Sequence, residues 1–295
     1  MKFSILNSQF SILKYFSLVK FAHTIFAMPF ALIGYFLGVT YDGVGFCWTT
    51  LLLVLLCMVF ARNAAMGFNR YVDRAIDAKN PRTGKREIPA GTIQPWAALI
   101  FVVVNAVAFV VTCRFLNLLV FYLSPVALLV VLGYSFTKKY TALCHFVLGT
   151  GLSLAPIGAY LAVTGKFTWL PLMFSFVVLL WSGGFDIIYA LQDKDFDIRE
   201  RLYSIPAWLG IRRALNVSAA VHVAAGMLVT AIGAFWNFGI WYAAGAVIFL
   251  FLLLYQHLII KPDNLSRVNA AFFTSNGIAS VVFAIFTIGD MFLRL

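Results

Sequence analysis

Apolar runs of about 20 residues recur from one end of the chain to the other, and that is the length an α-helix needs to cross the hydrocarbon core of a bilayer. Between the runs there is no polar linker and no stretch of soluble-domain composition. Inside a bilayer every backbone N–H and C=O must be satisfied within its own segment, so such runs commit the chain to helices. Only 11% of the residues are charged, where a soluble domain carries about 25%. The chain therefore reads as an all-α integral membrane protein, a single polytopic unit over residues 1–295.

Nine transmembrane helices are predicted: Leu18–Thr40, Phe46–Tyr71, Pro95–Thr112, Leu116–Tyr134, Leu143–Val163, Leu170–Leu191, Ala214–Phe235, Ile240–Ile260 and Asn269–Phe292. Residues 1–16 mix Lys2 and Lys14 with Phe, Ile and Leu, as an interfacial helix would. No short apolar region with a small-residue cleavage site opens the chain, so no removable leader is expected. Cys47, Cys57, Cys113 and Cys144 have no metal-like spacing and read as small apolar residues.

Lys and Arg report on orientation. With a cytoplasmic N-terminus and nine spans, 19 of the 22 cations fall on the inner side, leaving only Arg114, Lys166 and Arg294 outside. The net charge of +11 thus reads as orientation in an inner (cytoplasmic) membrane together with affinity for phosphate. No basic soluble domain exists to bind nucleic acid.

The acidic residues are concentrated. Residues 62–87 and 186–200 hold eight of the eleven, each stretch ending an apolar run on the predicted cytoplasmic side. The first contains Asn69-x-x-x-Asp73-x-x-x-Asp77; the second, Tyr189-x-x-x-Asp193-x-x-x-Asp197, repeats the figure 120 residues later. On a helix, four-residue spacing stacks these side chains on one face. Two carboxylates 4 Å apart at an effective dielectric near 20 repel by about 4 kcal/mol, so protonation or bound cations must relieve them. Solvated charges offset by neighbouring Arg and Lys would explain one cluster; two matching clusters at matching helix ends favour a bound cation. Mg²⁺ suits the pattern, because it takes a few carboxylate oxygens and shares its shell with substrate phosphates.

The surrounding cations, among them Arg62, Arg70, Arg74, Arg82, Arg86, Lys138 and Lys139, complete a site for a diphosphate. Neutralised in this way, diphosphate becomes a good leaving group. The aromatic interior behind suits a long lipid tail and an allylic cation. The implied reaction is ionisation of a prenyl diphosphate and attack by an electron-rich acceptor.

The paired motifs resemble those of the UbiA-type intramembrane aromatic prenyltransferases. Ala64-Ala-Met-Gly-Phe-Asn-Arg70, Asn80-Pro-Arg-Thr83, Tyr134-Ser-x-x-Lys138 and Asp186-Ile-Ile-Tyr-Ala-x-Gln-Asp193 are similar as well, and the likeness covers nearly the whole chain. The opening Lys20-Phe-Ala-His-Thr-Ile-Phe-Ala-Met-Pro-Phe30 is similar to a branch with hydroxybenzoate-type enzymes, archaeal relatives and enzymes of the futalosine route to menaquinone. The resemblance implies a nine-helix UbiA-like bundle that transfers a chain from polyprenyl diphosphate to an aromatic acid, hydroxybenzoate or naphthoate, in ubiquinone or menaquinone synthesis. Asp73, Asp77, Asp193 and Asp197 would be the metal-diphosphate carboxylates. Asn69, Arg70, Lys138 and Lys139 would serve the diphosphate, and Tyr134 would lie near the reacting carbon. Arg62, Lys20 and His23 are candidates for the acceptor; positive-inside bias or a satisfied intramembrane histidine explains them equally.

Asp186 lies two turns before Asp193 and either joins the site, provides a cap or makes a helix–helix hydrogen bond; Asp195 is out of register and solvated. Asn269 and Asn276 share a face and read as interhelical hydrogen-bonding groups, while His145, His222 and His257 show no constellation. Two other classes fit less well. A CDP-alcohol phosphotransferase would carry its aspartates in one cluster opening Asp-Gly-x-x-Ala-Arg. An ion-coupled transporter would place charges at broken helices near mid-membrane. A haem-prenylating relative stays open within the family.

Overall fold

The computed structural model describes residues 12–20, 24 and 26–293. After a short helix α1 (Ile12–Leu18), the chain forms α2 (Met28–Thr40), α3 (Trp48–Lys79), α4 (Pro95–Leu116), α5 (Leu118–Thr137), α6 (Cys144–Thr164) and α7 (Trp169–Ala190). Two short helices follow, α8 (Lys194–Arg199) and α9 (Ile205–Leu209), then α10 (Ile211–Phe235), α11 (Ile240–Ile259) and α12 (Asn276–Leu293), which a π-helical turn at Ala270–Ser275 extends. Among the described residues, eight of these helices are long and apolar enough to cross a membrane.

The ninth, α2, has 13 residues, or about 20 Å, against a hydrocarbon core of about 30 Å. A longer first span, Leu18–Thr40, is expected from hydropathy. Instead Pro29 stands in the first turn of α2, where its missing N–H costs nothing, and so opens the helix rather than loosening its middle. Residues 1–11 of the predicted interfacial helix lie outside the described residues. What is described of it packs Tyr15, together with Leu18 just beyond, on Ile88, Ile93, Ala97 and Ala98.

The helices pack mostly in chain order, α3 on α4, α4 on α5, α5 on α6, α6 on α7, α7 on α10 and α11 on α12. Helix α2 lies between α6 and α12. Its approach to α6 is close enough that a Cβ on Gly34 would sit 2.0 Å from the Pro156 carbonyl oxygen, so no larger residue fits. The main core gathers Phe30, Phe174, Trp181, Phe185, Phe249 and Phe283. Asn276 knits it together. Its Oδ1 accepts from Trp181 Nε1 and Gln256 Nε2, both at 2.9 Å, and its Nδ2 donates to the Ala271 and Phe272 carbonyls of the π turn. The other predicted asparagine, Asn269, stands just before that turn and makes no side-chain capping hydrogen bond to it.

Candidate active site

A cavity of about 980 Å³ runs between α3, α4, α5, α6 and α7. The end where α3 and α7 finish is polar, lined by Asn69, Arg70, Asp73, Asp77, Asp193, Lys138 and Lys139. The rest is apolar, passing Val54, Met58, Val130 and Leu152 as far as Leu116, Val120 and Phe167 at the opposite helix ends. Over the polar end lies the loop after α3, contributing Asn80, Arg82, Thr83, Arg86 and Glu87.

Helix α3 keeps its turns through Lys79 and stops at Asn80, whose extended backbone suits the following proline. Asn69, Asp73 and Asp77 therefore do share a face. Asn69 Nδ2 donates to Asp73 Oδ2 at 2.9 Å, and among the described residues no cation comes within ion-pair distance of Asp73. Asp77 is buried and both its oxygens accept from Arg86 Nη1 at 2.8 Å. Arg70 is buried too and lines the cavity, and its Nε has no partner. A buried, unsatisfied guanidinium N–H beside a cavity is a ready donor for an anionic oxygen.

The second cluster is built differently. Helix α7 tightens into a 3₁₀ turn over Leu191–Asp193 before α8 continues the helical run, so the α-helical register between Asp193 and the turns before it is disturbed. Asp193 accepts from Asn80 Nδ2 at 3.1 Å and Arg82 Nε at 2.9 Å, with Arg82 Nη2 closing a bidentate pair. The same guanidinium donates to the Tyr189 hydroxyl at 2.8 Å and lies over its ring. Burial works against the Arg82 charge, but Asp193 and Tyr189 overcome it and hold its pKa above the ordinary value. Asp197 is fully buried and does not line the cavity. It faces Lys138 Nζ at 2.7 Å and accepts from Ser204 Oγ at 2.9 Å. For Lys138 likewise, burial opposes the charge and Asp197 outweighs it, raising the pKa. Asp195 points to solvent, as its register predicts, with only Lys194 near at 3.6 Å.

The acceptor candidates divide. Arg62 lines the cavity, yet its guanidinium donates to the Val19 and Lys20 carbonyls at 2.9 and 3.2 Å. Lys20 also lines the cavity. His23 lies outside the described residues. Tyr134 lines the cavity, as do Asp73, Arg70, Asp186 and Arg62.

Two histidine pairings correct the expectation of no constellation. His145 Nδ1 lies 2.7 Å from Asp186 Oδ2, and both residues line the cavity, so Asp186 makes a helix–helix hydrogen bond at the cavity wall. His222 Nδ1 lies 2.9 Å from His257 Nε2, away from the cavity. No local signal announces either pair, because the partners stand on different helices, 41 and 35 residues apart.

Among the described residues no three His, Cys, Asp or Glu side chains form a ready-made metal cage. Mg²⁺ does not require one, since one or two carboxylates plus substrate phosphates ordinarily hold it. Asp73, free of any cation and beside the Asn69 amide, offers the oxygen chemistry that such a shared shell uses.

A model of the UbiA prenyltransferase family matches residues 27–277. The 4-hydroxybenzoate octaprenyltransferase of Burkholderia vietnamiensis is 32% identical over 246 residues, covering 80% of this chain and 81% of its own. That of Aeromonas salmonicida is 28% identical, covering 79% and 81%. The apo structure of a UbiA homologue from Aeropyrum pernix superimposes with a TM-score of 0.79 at 27% identity, over 92% of this chain and 98% of that one. A homologue from Archaeoglobus fulgidus bound to GPP and Mg²⁺ shares the fold, with a TM-score of 0.73 at 18% identity, over 94% of this chain and 99% of its own.

Proposed function

The chain belongs to the UbiA prenyltransferase family, and from that premise we propose that it transfers a polyprenyl chain from its diphosphate to an aromatic hydroxy acid of the 4-hydroxybenzoate type, with Mg²⁺, in quinone biosynthesis. One observation carries the reading: a single cavity joins a mouth of carboxylates and cations to a long apolar interior. A diphosphate with a lipid tail has those two halves in that order. The octaprenyltransferase relatives and the GPP- and Mg²⁺-bound homologue support the same substrate class.

The residues divide the work. Asp73 with Asn69, Asp77 and Asp193 would hold Mg²⁺, which when bound neutralises diphosphate and improves it as a leaving group. Arg70 offers its unpartnered Nε to phosphate oxygens. Lys138 and Lys139 line the mouth as point charges, and buried Asp197 fixes the Lys138 ammonium there. Arg82 and Arg86, which hold Asp193 and Asp77, sit where they can turn to the diphosphate. The Tyr134 ring stands beside the reacting carbon, with Arg62 and Lys20 further along the same wall for the acceptor carboxylate. The positive-inside count sets this mouth on the cytoplasmic side of an inner membrane.

Purified protein is incubated with geranyl diphosphate, Mg²⁺ and a panel of hydroxybenzoates and hydroxynaphthoates, and products are read by mass. A geranylated hydroxybenzoate is expected. Product from naphthoates alone would move the acceptor to the futalosine route, and no product from any member would overturn the reading.

A further inference from the structure

A second recess, of about 370 Å³, lies outside the cavity, and no lining residue is common to the two. Its walls come from three places in the chain: Lys194 at the start of α8, the corner where α9 meets α10, and Pro262 and Asp263 after α11. Each wall stands near the end of a helical run long and apolar enough to cross a membrane, Trp169–Arg199, Ile211–Phe235 or Ile240–Ile259. The recess therefore sits at headgroup depth, at the same end of the bundle as the mouth. Gly210 makes the corner, with a φ of 78° that glycine adopts freely. The Asn264 N–H donates to the Lys261 carbonyl at 3.0 Å and closes the turn that carries Pro262 and Asp263. Three cations, Lys194, Arg212 and Arg213, face one carboxylate, Asp263. Among the described residues, neither arginine nor Asp263 takes part in an ion pair, and Lys194 has only the exposed Asp195 at 3.6 Å. Orientation bias asks for cations on this side of the membrane, not for cations from two elements around one recess. Neighbouring guanidiniums without a carboxylate repel, and an anion bound beside both relieves them. Leu209, Ile211 and Pro262 give the recess an apolar shoulder. Trp208, next in the chain, is 71% exposed, as an indole at a membrane interface is.

We propose that this recess binds the phosphodiester headgroup of an anionic phospholipid. Arg212 and Arg213 present planar donor forks to the phosphate oxygens, and Lys194 adds a point charge. The apolar shoulder receives the first carbons of the acyl chains, for which a soluble phosphate has no counterpart. The surplus of two positive charges over Asp263 selects a headgroup with net negative charge over a zwitterionic one. A lipid seated there touches the ends of α8, α10 and α11 at once, so it binds the folded bundle and not the unfolded chain, and stabilises it. The site stands apart from the prenyl-transfer reading, because none of its residues belongs to the cavity.

The test titrates the purified full chain, in a neutral detergent, with dioctanoyl phosphatidylglycerol, phosphatidylethanolamine or phosphatidylcholine. Glycerol phosphate serves as a phosphate without chains. Retained lipid is counted by native mass spectrometry, and the melting temperature is followed alongside. Wild type is expected to retain one phosphatidylglycerol in preference to either zwitterionic lipid, and to melt higher with it. At about fivefold per cation near an anionic surface, Lys194→Gln should bind phosphatidylglycerol about fivefold more weakly. Arg212→Gln/Arg213→Gln should bind it roughly 25-fold more weakly. Arg267→Gln, which removes an exposed cation at the same end but outside the recess, should leave binding unchanged. Should the double variant fail to fold, Lys194→Gln against Arg267→Gln decides the matter. Equal retention of the three lipids, or equal losses in Lys194→Gln and Arg267→Gln, overturns the proposal. Stabilisation by glycerol phosphate as strong as that by phosphatidylglycerol overturns the lipid as occupant in favour of a soluble phosphate.

Discussion

Asp73-x-x-x-Asp77 and Asp193-x-x-x-Asp197 are the same figure in sequence and two different objects in space. The first rides an unbroken 32-residue helix; its Asp77 is engaged by Arg86 from the loop after α3, while Asp73 is left with the Asn69 amide. The second straddles a 3₁₀ turn within the helical run, and each of its aspartates is engaged by a cation from another element, Arg82 after α3 and Lys138 after α5. Four-residue spacing guarantees a shared face only while the helix continues. Asp73 on α3 therefore reads as the open position of the site, offered to ligand. The α7 cluster reads as the half that organises the basic residues, with Asp193 at the cavity and Asp197 behind it.

The sharpest way to break this contrast is Asp73→Asn. It should abolish prenyl transfer while leaving the melting temperature within a few degrees of wild type, because no ion pair is lost. Chelation should do the same to the intact protein, with activity vanishing in EDTA and returning with Mg²⁺. Transfer that survives EDTA would remove the metal from the reading, and with it the reason for an open carboxylate on α3.

Asp197→Asn should invert the pattern. Removing it leaves Lys138 without its carboxylate in a half-buried setting, a loss of about 1–3 kcal/mol, with a lower melting temperature and a weakened apparent KM for prenyl diphosphate. Equal loss of activity in Asp73→Asn and Asp197→Asn, with unchanged stability in both, would mean that the two clusters are equivalent ligands after all.

Eight of the spans were legible because hydropathy and the bilayer's thickness leave little choice, while the first came out shorter than its apolar run; Asn80-Pro81 marked the end of α3 by its own stereochemistry. The 3₁₀ turn at Leu191–Asp193 carries no Pro or Gly. Its visible correlates are tertiary: Asp193 meets Asn80 and Arg82 while Asp197 meets Lys138 and Ser204. The His145–Asp186 pair was invisible for a related reason, since a lone histidine near the start of an apolar helix announces no partner on the next. Arg62 was legible by type and place as a candidate for an anion, while its bonds to two backbone carbonyls were not, because their residues lie 43 and 42 positions away in the chain.

A smaller effect separates the two substrates at the mouth. Lys138→Ala should raise the KM for prenyl diphosphate, or lower kcat, whichever aromatic acid is offered. Arg62→Met should weaken the aromatic acid by roughly ten- to a hundredfold, the equivalent of a charge-assisted contact of about 1.5–3 kcal/mol, with prenyl diphosphate affinity nearly unchanged. If Arg62→Met spares both substrates and lowers only stability, its bonds to the Val19 and Lys20 carbonyls are its whole role.

The smallest expected effect is also the control for cluster membership. Asp195 sits between Asp193 and Asp197 and by proximity in sequence belongs with them. Its side chain is 87% exposed, and its one nearby cation, Lys194, is 3.6 Å away at the surface. An exposed pair of that kind is worth about 0–1 kcal/mol and is screened by salt. Asp195→Asn should therefore leave melting temperature, both KM values and kcat within about twofold of wild type, an effect close to the ±0.5 kcal/mol typical of surface changes. If it instead matched Asp73→Asn in abolishing transfer, acidic density at the mouth would be what matters. Individually placed oxygens would not, and the contrast between an open α3 carboxylate and engaged α7 carboxylates would lose its basis.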